Sequence, residues 1–468
     1  MNKNYLRIFF ILAAIHFSYT ANAQKIIKGL VIDATSKQPL GAVSIFNVNN
    51  KSEKAITDEY GNFILKLNSQ SSNITASHIG YTTINISNAN GSTLKIEMQP
   101  DAIKLADVQL QSSGVAKFNS LTKIDLALNP VKNTQELLRL VPGLFIAQHA
   151  GGGKAEQIFL RGFDVDHGTD VQVSVDGMPV NMVSHAHGQG YADAHFIIPE
   201  TINNIDFGAG PYYTEHGNLN TAGYVAFSTF NNITKSRVQV ETGRFNSYRT
   251  LAMVDLLKQH KEKQSAYIAG EFFYADGPTE NKQRFNRFNV FGKYNNALSL
   301  KTNLLFSASA FKSRWDASGQ IPTRAVEDGT ISRFGSIDPT EGGNTERYNA
   351  NLLVNHQYNN GSTWQNQFFY SRYKFNLYSN FTFFLNDPIN GDEIQQQEAR
   401  NLFGFVSTFK EKRFFGNAIL SSTDAIGIRY DATSRSKLAN AAKRQFLSNV
   451  KLGDVKERSE ERRVGKEC

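Results

Sequence analysis

The chain has 468 residues, 50 Lys and Arg against 42 Asp and Glu, and a single cysteine at its last position, Cys468. That length exceeds one ordinary core and predicts several domains, and a lone cysteine excludes an internal disulfide. The formal charge of +8 does not indicate nucleic acid, because two positives sit in the N-terminal leader and the others are scattered, with no basic stripe or recognition motif beside them.

Lys3 and Arg7 flank an apolar run from Ile8 to Ile15, and Ala21-Asn22-Ala23 forms a small-residue cleavage site before Gln24. Residues 1–23 therefore read as a secretory signal peptide. The run is too short to span a bilayer, and no later segment approaches the roughly 18 apolar residues of a membrane helix. The cleavage region also lacks the cysteine of a lipid anchor. A chain exported in this way is periplasmic, secreted or a β-barrel.

Residues 24–100 show short alternating runs between turn residues. Phe63, Leu65 and Leu67 point one way and Ile64 and Lys66 the other, after the turn-forming DEYGN of Asp58 to Asn62. The spacing predicts an all-β sandwich. GLVIDATSKQPLGAVSIFN, ITDEYGNFILKL and SHIGY also resemble the carboxypeptidase-regulatory-like domain that precedes the plug in some TonB-dependent receptors. That domain is non-catalytic, and no metallopeptidase motif such as HExxH is present. Residues 101–119 form a linker containing LADVQLQSSG.

In residues 120–232, Thr134 to Leu138 with Leu140 and Val141 reads as a short amphipathic helix stopped by Pro142-Gly143. Val171, Val173 and Val175 alternate with Gln172, Ser174 and Asp176, the period of a half-buried strand, and Asp176-Gly177 then makes a hairpin turn. VPG at Val141 to Gly143, FLRG ending at Gly162, VDGMPV from Val175 to Val180 and IPETINNIDFGAGP from Ile198 to Pro211 occur in one order over roughly 70 residues. Together they resemble the plug of a TonB-dependent outer-membrane receptor. GNLNTAGYVAFST, Gly217 to Thr229, has Ala222-Gly223 where that family often has two glycines. The resemblance implies energy-coupled uptake of a scarce nutrient, such as a metal ion or metal chelate, in the outer membrane of a Gram-negative bacterium. It also implies a TonB energy-transducing partner and outer-membrane lipid around the protein. The alternative is a passive porin-like or structural barrel. Within the linker, Asp107, Val108, Gln109 and Leu110 are the centre of a TonB box, an extended peptide that adds a strand to its partner's sheet edge through main-chain bonds. An ordinary linker strand is the other reading of that segment.

Residues 233–457 carry long alternating runs rich in Phe, Tyr and Asn. Tyr348, Ala350, Leu352, Val354, His356 and Tyr358 face one side, opposite Arg347, Asn349, Asn351, Asn355 and Gln357, with Leu353 the exception. Lipid-facing strands need this pattern, with aromatic residues at the interfaces. Leu300 to Ala310, Ala266 to Tyr274 and Phe288 to Tyr294 repeat it. The stretch from Trp315 to Glu346 reads as an extracellular loop. About nine or ten bilayer-spanning strands fit. A partial barrel leaves unpaired amides at its edges, so the chain is not expected to form a working membrane protein by itself. RSEERRVGKEC, Arg458 to Cys468, resembles a translated sequencing adapter, which predicts a longer natural protein. The expected fold is thus mainly β: a β-sandwich, an α+β plug and the N-terminal part of a transmembrane antiparallel β-barrel, truncated.

Catalytic chemistry is weakly represented. GGGKA, Gly151 to Ala155, fails the phosphate-loop template, since Gln148 and Ala155 stand where Gly and Ser or Thr are required. No GxSxG elbow accompanies it, so neither an enzyme nor a cofactor is expected. His149, His167, His185, His187, His195 and His216 place six of ten histidines in the plug. His185 with His187, and Asp193 with His195, are i, i+2 pairs that share a face of an extended chain and could converge on a transition metal. The other reading is local hydrogen bonding in a glycine-hinged loop.

Overall fold

The computed structural model describes residues 25–467 apart from 35–36, 51, 59, 68–72, 79–80, 88–93, 100–119, 122–130, 132, 149–151, 165–169, 189, 214, 234, 258–262 and 416–417. The expected signal peptide, residues 1–23, and His149, His167 and Asp107 to Leu110 lie outside the described residues. The chain forms two compact units that divide after Val108.

The first unit has strands β1 (Lys25–Asp33), β2 (Ser44–Asn47), β3 (Lys54–Ile56), β4 (Asn62–Leu67), β5 (Ile74–Ser77), β6 (Ile84–Ile86) and β7 (Leu94–Met98). They make two sheets, β4-β1-β7 and β3-β2-β5-β6. Alternation decides the facing: Phe63, Leu65 and Leu67 are buried with Ile27, Val31, Ile45, Ile74 and Met98, while Ile64 and Lys66 are exposed. The turn before β4 needs its glycine. Gly61 has φ +75°, and Asp58 Oδ1 accepts from the amides of Tyr60 and Asn62 at 3.0 and 2.8 Å.

The second unit begins with the plug. Its elements are β8 (Ser120–Leu121), α1 (Thr134–Leu138), β9 (Leu144–Ala147), β10 (Gln157–Leu160), β11 (Phe163–Asp164), β12 (Val171–Val175), β13 (Met178–Pro179), β14 (Ile202–Ala209) and β15 (Gly223–Thr229). The sheet order is β13-β12-β15-β14-β8, with β12 parallel to β15, beside a smaller sheet β11-β10-β9. Asn133 caps α1, its Oδ1 accepting from Glu136 N at 2.9 Å. Asp176 and Gly177 have φ of +46° and +76°, the geometry of a type I′ hairpin turn. Gly223 explains its own identity, because a Cβ there would lie 2.3 Å from the Gly208 carbonyl oxygen, a backbone atom that cannot yield.

The remaining strands are β16 (Arg237–Gly243), β17 (Ser247–Asp255), β18 (Gln264–Ala275), β19 (Phe285–Ala297), β20 (Thr302–Asp316), β21 (Gly342–Gln357), β22 (Thr363–Ser379), β23 (Ile394–Phe415), β24 (Ala418–Ala442), β25 (Gln445–Leu452) and β26 (Lys456–Glu467). From β16 to β24 each pairs antiparallel with the next. β25 and β26 lie end to end along the other edge of β24. Among the described residues β16 pairs only with β17, so the sheet is an open wall. No described helix is long and apolar enough to cross a membrane.

Alternation again separates two faces. Tyr348, Phe306, Phe272, Ile268 and Phe288 are exposed on the outside, while Arg347, Asn349, Asn303, Glu271 and Asn289 are buried on the opposite face. The loop expected from Trp315 to Glu346 is narrower. β20 runs to Asp316 and β21 starts at Gly342, with a short helix α2 (Thr323–Glu327) between them. Gly342 and Gly343 look like loop residues in sequence, but they pair with Asp316 and Trp315. A Cβ on Gly343 would lie 2.3 Å from the Asn376 carbonyl oxygen, so the glycine serves close strand approach. On β26, Arg458, Glu460 and Arg462 pair with Tyr430, Ile428 and Ile426 of β24. They therefore put charge on the face that is apolar in β24, at a cost of about 2–4 kcal/mol for each Arg at a bilayer midplane.

Candidate functional site

The hairpin and the segment after it, residues 176–198, are where the wall holds the plug. The Asp176 turn is fixed first. Its carboxylate accepts from Thr229 N at 2.9 Å and Thr229 Oγ1 at 2.6 Å, and Lys293 Nζ of β19 sits 3.1 Å from Oδ2. Asn181 then ties the hairpin to β12, accepting from Val173 N at 2.6 Å and donating to Val171 O at 2.9 Å. Beyond it, Thr134 Oγ1 of α1 donates to Ile197 O at 2.7 Å.

Side chains of the wall reach this segment mostly through its main-chain carbonyls. Asn351 and Gln367 donate to Asp176 O at 3.0 and 2.9 Å. Arg347 donates to Pro179 O at 2.9 Å and Val180 O at 3.2 Å, with its guanidinium 4.2 Å from the centre of the Phe196 ring. Arg429 donates to Asn181 O at 3.0 Å, Arg400 to Ser184 O, and Asn289 to His195 O at 2.9 Å. Gln396 bonds both Ala186 O and His187 O, at 3.2 and 3.3 Å. Acids behind the cations complete the cluster. Arg400 pairs with Glu398 at 3.0 Å and Asp431 at 2.9 Å, and Asp431 also meets Arg429 at 3.1 Å. Pairing of this kind is what allows charge to stay buried.

A second anchor is ionic on both sides. Glu200, in the 3-10 turn Pro199–Thr201, takes Arg249 of β17 in a two-point contact at 2.7 and 2.6 Å. Arg249 also reaches Glu271 at 2.6 Å and Glu241 at 2.9 Å, and Arg287 reaches Glu271 at 2.8 Å.

The four proposed metal ligands come together as two pairs. The His185 ring stacks on Tyr191 at 4.1 Å, with Nε2 3.2 Å from Tyr373 Oη and 3.9 Å from Glu398. His187 Nδ1 is 2.9 Å from Gln396 Oε1. Asp193 and His195 pair with each other at 2.8 Å, and His195 packs edge-on to Phe285. Among the described residues no three His, Cys, Asp or Glu side chains are grouped as a metal would require. The expected convergence of His185, His187, Asp193 and His195 is therefore replaced by two separate contacts with the wall. The i, i+2 spacing gave each pair a common face, but the chain turns between them at Gly188 and Tyr191, where His185 bridges Gly188 and Met182 bridges Tyr191. His216 is elsewhere, stacked on Tyr224 at 3.5 Å.

Glu156 is a buried acid of the plug that sequence reasoning did not single out. Burial pushes its carboxyl from 4.5 up to about 8; Arg139 pulls it back, and Asp193 and Glu136 add to the rise. The fold thus favours the neutral form. Its contribution to stability is whole below pH 4.5 and is lost as pH rises to about 8. Glu156→Gln, neutral at every pH, is expected to flatten the decline in thermal stability of the complete protein between pH 5 and 9. An unchanged pH profile would show that Glu156 is ionised in the folded plug.

The wall residues that grip the plug were partly legible. The alternation that assigned Tyr348 and Ala350 to lipid put Arg347, Asn349 and Asn351 opposite. The signal that could have marked them as anchors is charge of both signs on an inward face, as at Glu271, Arg287, Arg400 and Asp431.

Residues 27–110 match the CarboxypepD_reg-like domain family and residues 111–224 the TonB-dependent Receptor Plug Domain family. Among solved structures, the unliganded ferric citrate transporter FecA is similar with a TM-score of 0.60 at 14% identity, over 73% of this chain and 51% of that one. The ferric-catecholate import receptor Fiu of E. coli K12 gives 0.52 at 12% identity, over 72% and 53%. The siderophore receptor PirA of Acinetobacter baumannii gives 0.51 at 18%, over 67% and 48%. The chain spans about half the length of the solved receptors it matches. A regulatory-like β-sandwich, a matched plug and an antiparallel wall gripping that plug occur here in one order, so the chain carries the plug domain of the TonB-dependent receptors and shares the fold of the outer-membrane receptors it matches.

Proposed function

We propose that this receptor takes up a scarce nutrient, a metal ion or metal chelate, across the outer membrane, with energy supplied by a TonB partner acting on Asp107, Val108, Gln109 and Leu110. The observation that carries the reading is the grip on residues 176–198. A plug bonded to the wall from Asp176 O to His195 O blocks passive flow and needs work to rearrange. That favours energy coupling over a porin-like barrel. The names of the similar structures, a ferric citrate transporter and a ferric-catecholate import receptor, support a chelate as cargo. The plug pairs His185–His187 and Asp193–His195 hold contacts to the wall in this reading and are not assigned to the cargo.

The test is uptake of labelled iron chelates by cells carrying the complete receptor, with and without the TonB partner. Uptake is expected only with the partner, and surface binding in both. Equal uptake in both strains would establish a passive barrel.

A further inference from the structure

Three connections meet at one end of the wall: loop 317–341 between β20 and β21, loop 380–393 between β22 and β23, and the tight turn 443–444 between β24 and β25. The first two are the longest described connections of the wall, and long loops mark the extracellular end of such barrels. Arg444 joins all three. Its backbone, at φ +63°, turns the amide toward Glu393 Oε2 at 2.8 Å, while its guanidinium donates to Thr340 O, to Glu341 O at 2.7 Å and to Asp316 Oδ1 at 2.6 Å. Further bonds close the junction. Thr340 Oγ1 donates to Glu393 Oε1 at 3.3 Å, and Asn380 Nδ2 of the second loop donates to Asp338 Oδ2 of the first at 2.8 Å. From the neighbouring connection 276–284, Asn281 donates to Ala317 O at 3.0 Å and Pro339 O at 3.2 Å, and Arg284 pairs with Asp316 at 2.7 Å.

One acid at this junction is badly served. Glu341 is only 6% exposed, and its Oε1 has no hydrogen-bond partner among the described residues. Gly319 lies against that oxygen, so close that a Cβ there would be 1.9 Å away. Arg444 gives its ion pair to Asp316 and meets only the main-chain carbonyl of Glu341. The carboxyl is helped by the Asn380 backbone amide and by the charge of Lys154 in the plug, and it is opposed by Asp338 and Glu393.

A carboxylate sealed in this way is costly to ionise in place. It ionises cheaply only where water reaches it, and what shuts water out is the meeting of loops 317–341 and 380–393. Burial accordingly pushes the Glu341 carboxyl from 4.5 up to about 8, and it raises Glu393 as well. Charge on Glu341 would also add repulsion from Asp338 and Glu393 on either side of the same seam.

We propose that Glu341 is a proton-operated latch: when protonated it lets loops 317–341 and 380–393 close on each other at the Arg444 junction, and its ionisation separates them and opens the extracellular entrance. The preference for closure is whole below pH 4.5, the ordinary value that an opened Glu341 would regain, and is lost as pH rises to about 8. Across that window the ratio of open to closed loops rises by up to about tenfold per pH unit.

The test places spin labels at E327C and I389C, exposed positions of the two loops, in the complete receptor without other cysteines, and measures the distance between them by pulsed electron paramagnetic resonance from pH 5 to pH 8.5. Neither cargo nor TonB partner is present, so failure of the latch leaves the reading of uptake untouched. A separated population at least tenfold larger at pH 8 than at pH 5 is expected. E341Q, neutral at every pH and of the same size, should keep the loops together throughout, and R444Q should separate them already at pH 5. E156Q removes the plug's own titration over the same window and should leave the loop response in place. Heat-modifiable migration checks that each variant folds, and E341Q decides the matter if R444Q does not. Distances independent of pH in the otherwise unaltered receptor, loops of E341Q that still separate as pH rises, or a response abolished by E156Q would each overturn the proposal.

Discussion

Glu271→Ala is expected to destabilise the complete receptor by about 3–5 kcal/mol, the usual effect of breaking a buried ion pair, and to loosen the plug as well. Glu271 is fully buried between Arg249 and Arg287, at 2.6 and 2.8 Å, and also accepts from Asn289 at 3.1 Å. Removing it leaves two buried guanidiniums with their shared anion gone. Arg249 would keep Glu200 and Glu241, while Arg287 would lose its 2.8 Å contact with Glu271. Because Arg249 is also the two-point partner of Glu200, any shift of Arg249 is felt by the plug. Glu241→Gln provides the contrast. Its side chain is 39% exposed, so that change should cost under about 1 kcal/mol. The readouts are the temperature at which the folded band disappears from a gel and entry of an antibiotic too large for porins. A Glu271→Ala protein with wild-type melting and no added antibiotic entry would show that the cluster is not structural.

Val108→Pro should abolish uptake while leaving surface binding of the chelate unchanged. A strand added to a partner's sheet edge depends on main-chain hydrogen bonds, and proline removes a donor and fixes φ near −65°. If Asp107 to Leu110 are the TonB box proposed above, the loss should be complete, because work delivered to the plug would pass through that one strand. Binding should persist, since residues 176–198 and the long loops are remote from Val108 in sequence. Restoring uptake with Val108→Ile, which keeps the donor and the strand preference, would separate the backbone requirement from a side-chain one. Normal uptake by the proline variant would move the partner's binding segment elsewhere, while loss of surface binding would point to misfolding.

Alternation was legible in this sequence wherever one strand face is buried and the other is not. Leu65 and Leu67 in the first sheet, Val171 to Val175 in the plug, and Tyr348 to Val354 in the wall each lie on the face that their period of two assigns. Turn chemistry was legible too, because Asp176-Gly177 and the DEYGN turn adopt positive φ that few other residues tolerate. The sequence by itself therefore determined the order of domains, the faces of the strands and the plug hairpin. Tertiary structure alone decided which polar groups meet. Arg347 and Val180 are 167 positions apart, and Arg400 and Ser184 216; no local period encodes such a distance. The same limit explains the histidines. Spacing gave His185 and His187 a shared face, but only the packing of β22 and β23 against the plug set Tyr373, Glu398 and Gln396 beside them. The end of the long loop followed the same logic: Gly342 and Gly343 are loop-like by composition, and are strand because they pair with Asp316 and Trp315 on one side and Tyr378 and Leu377 on the other, an approach too close for a Cβ.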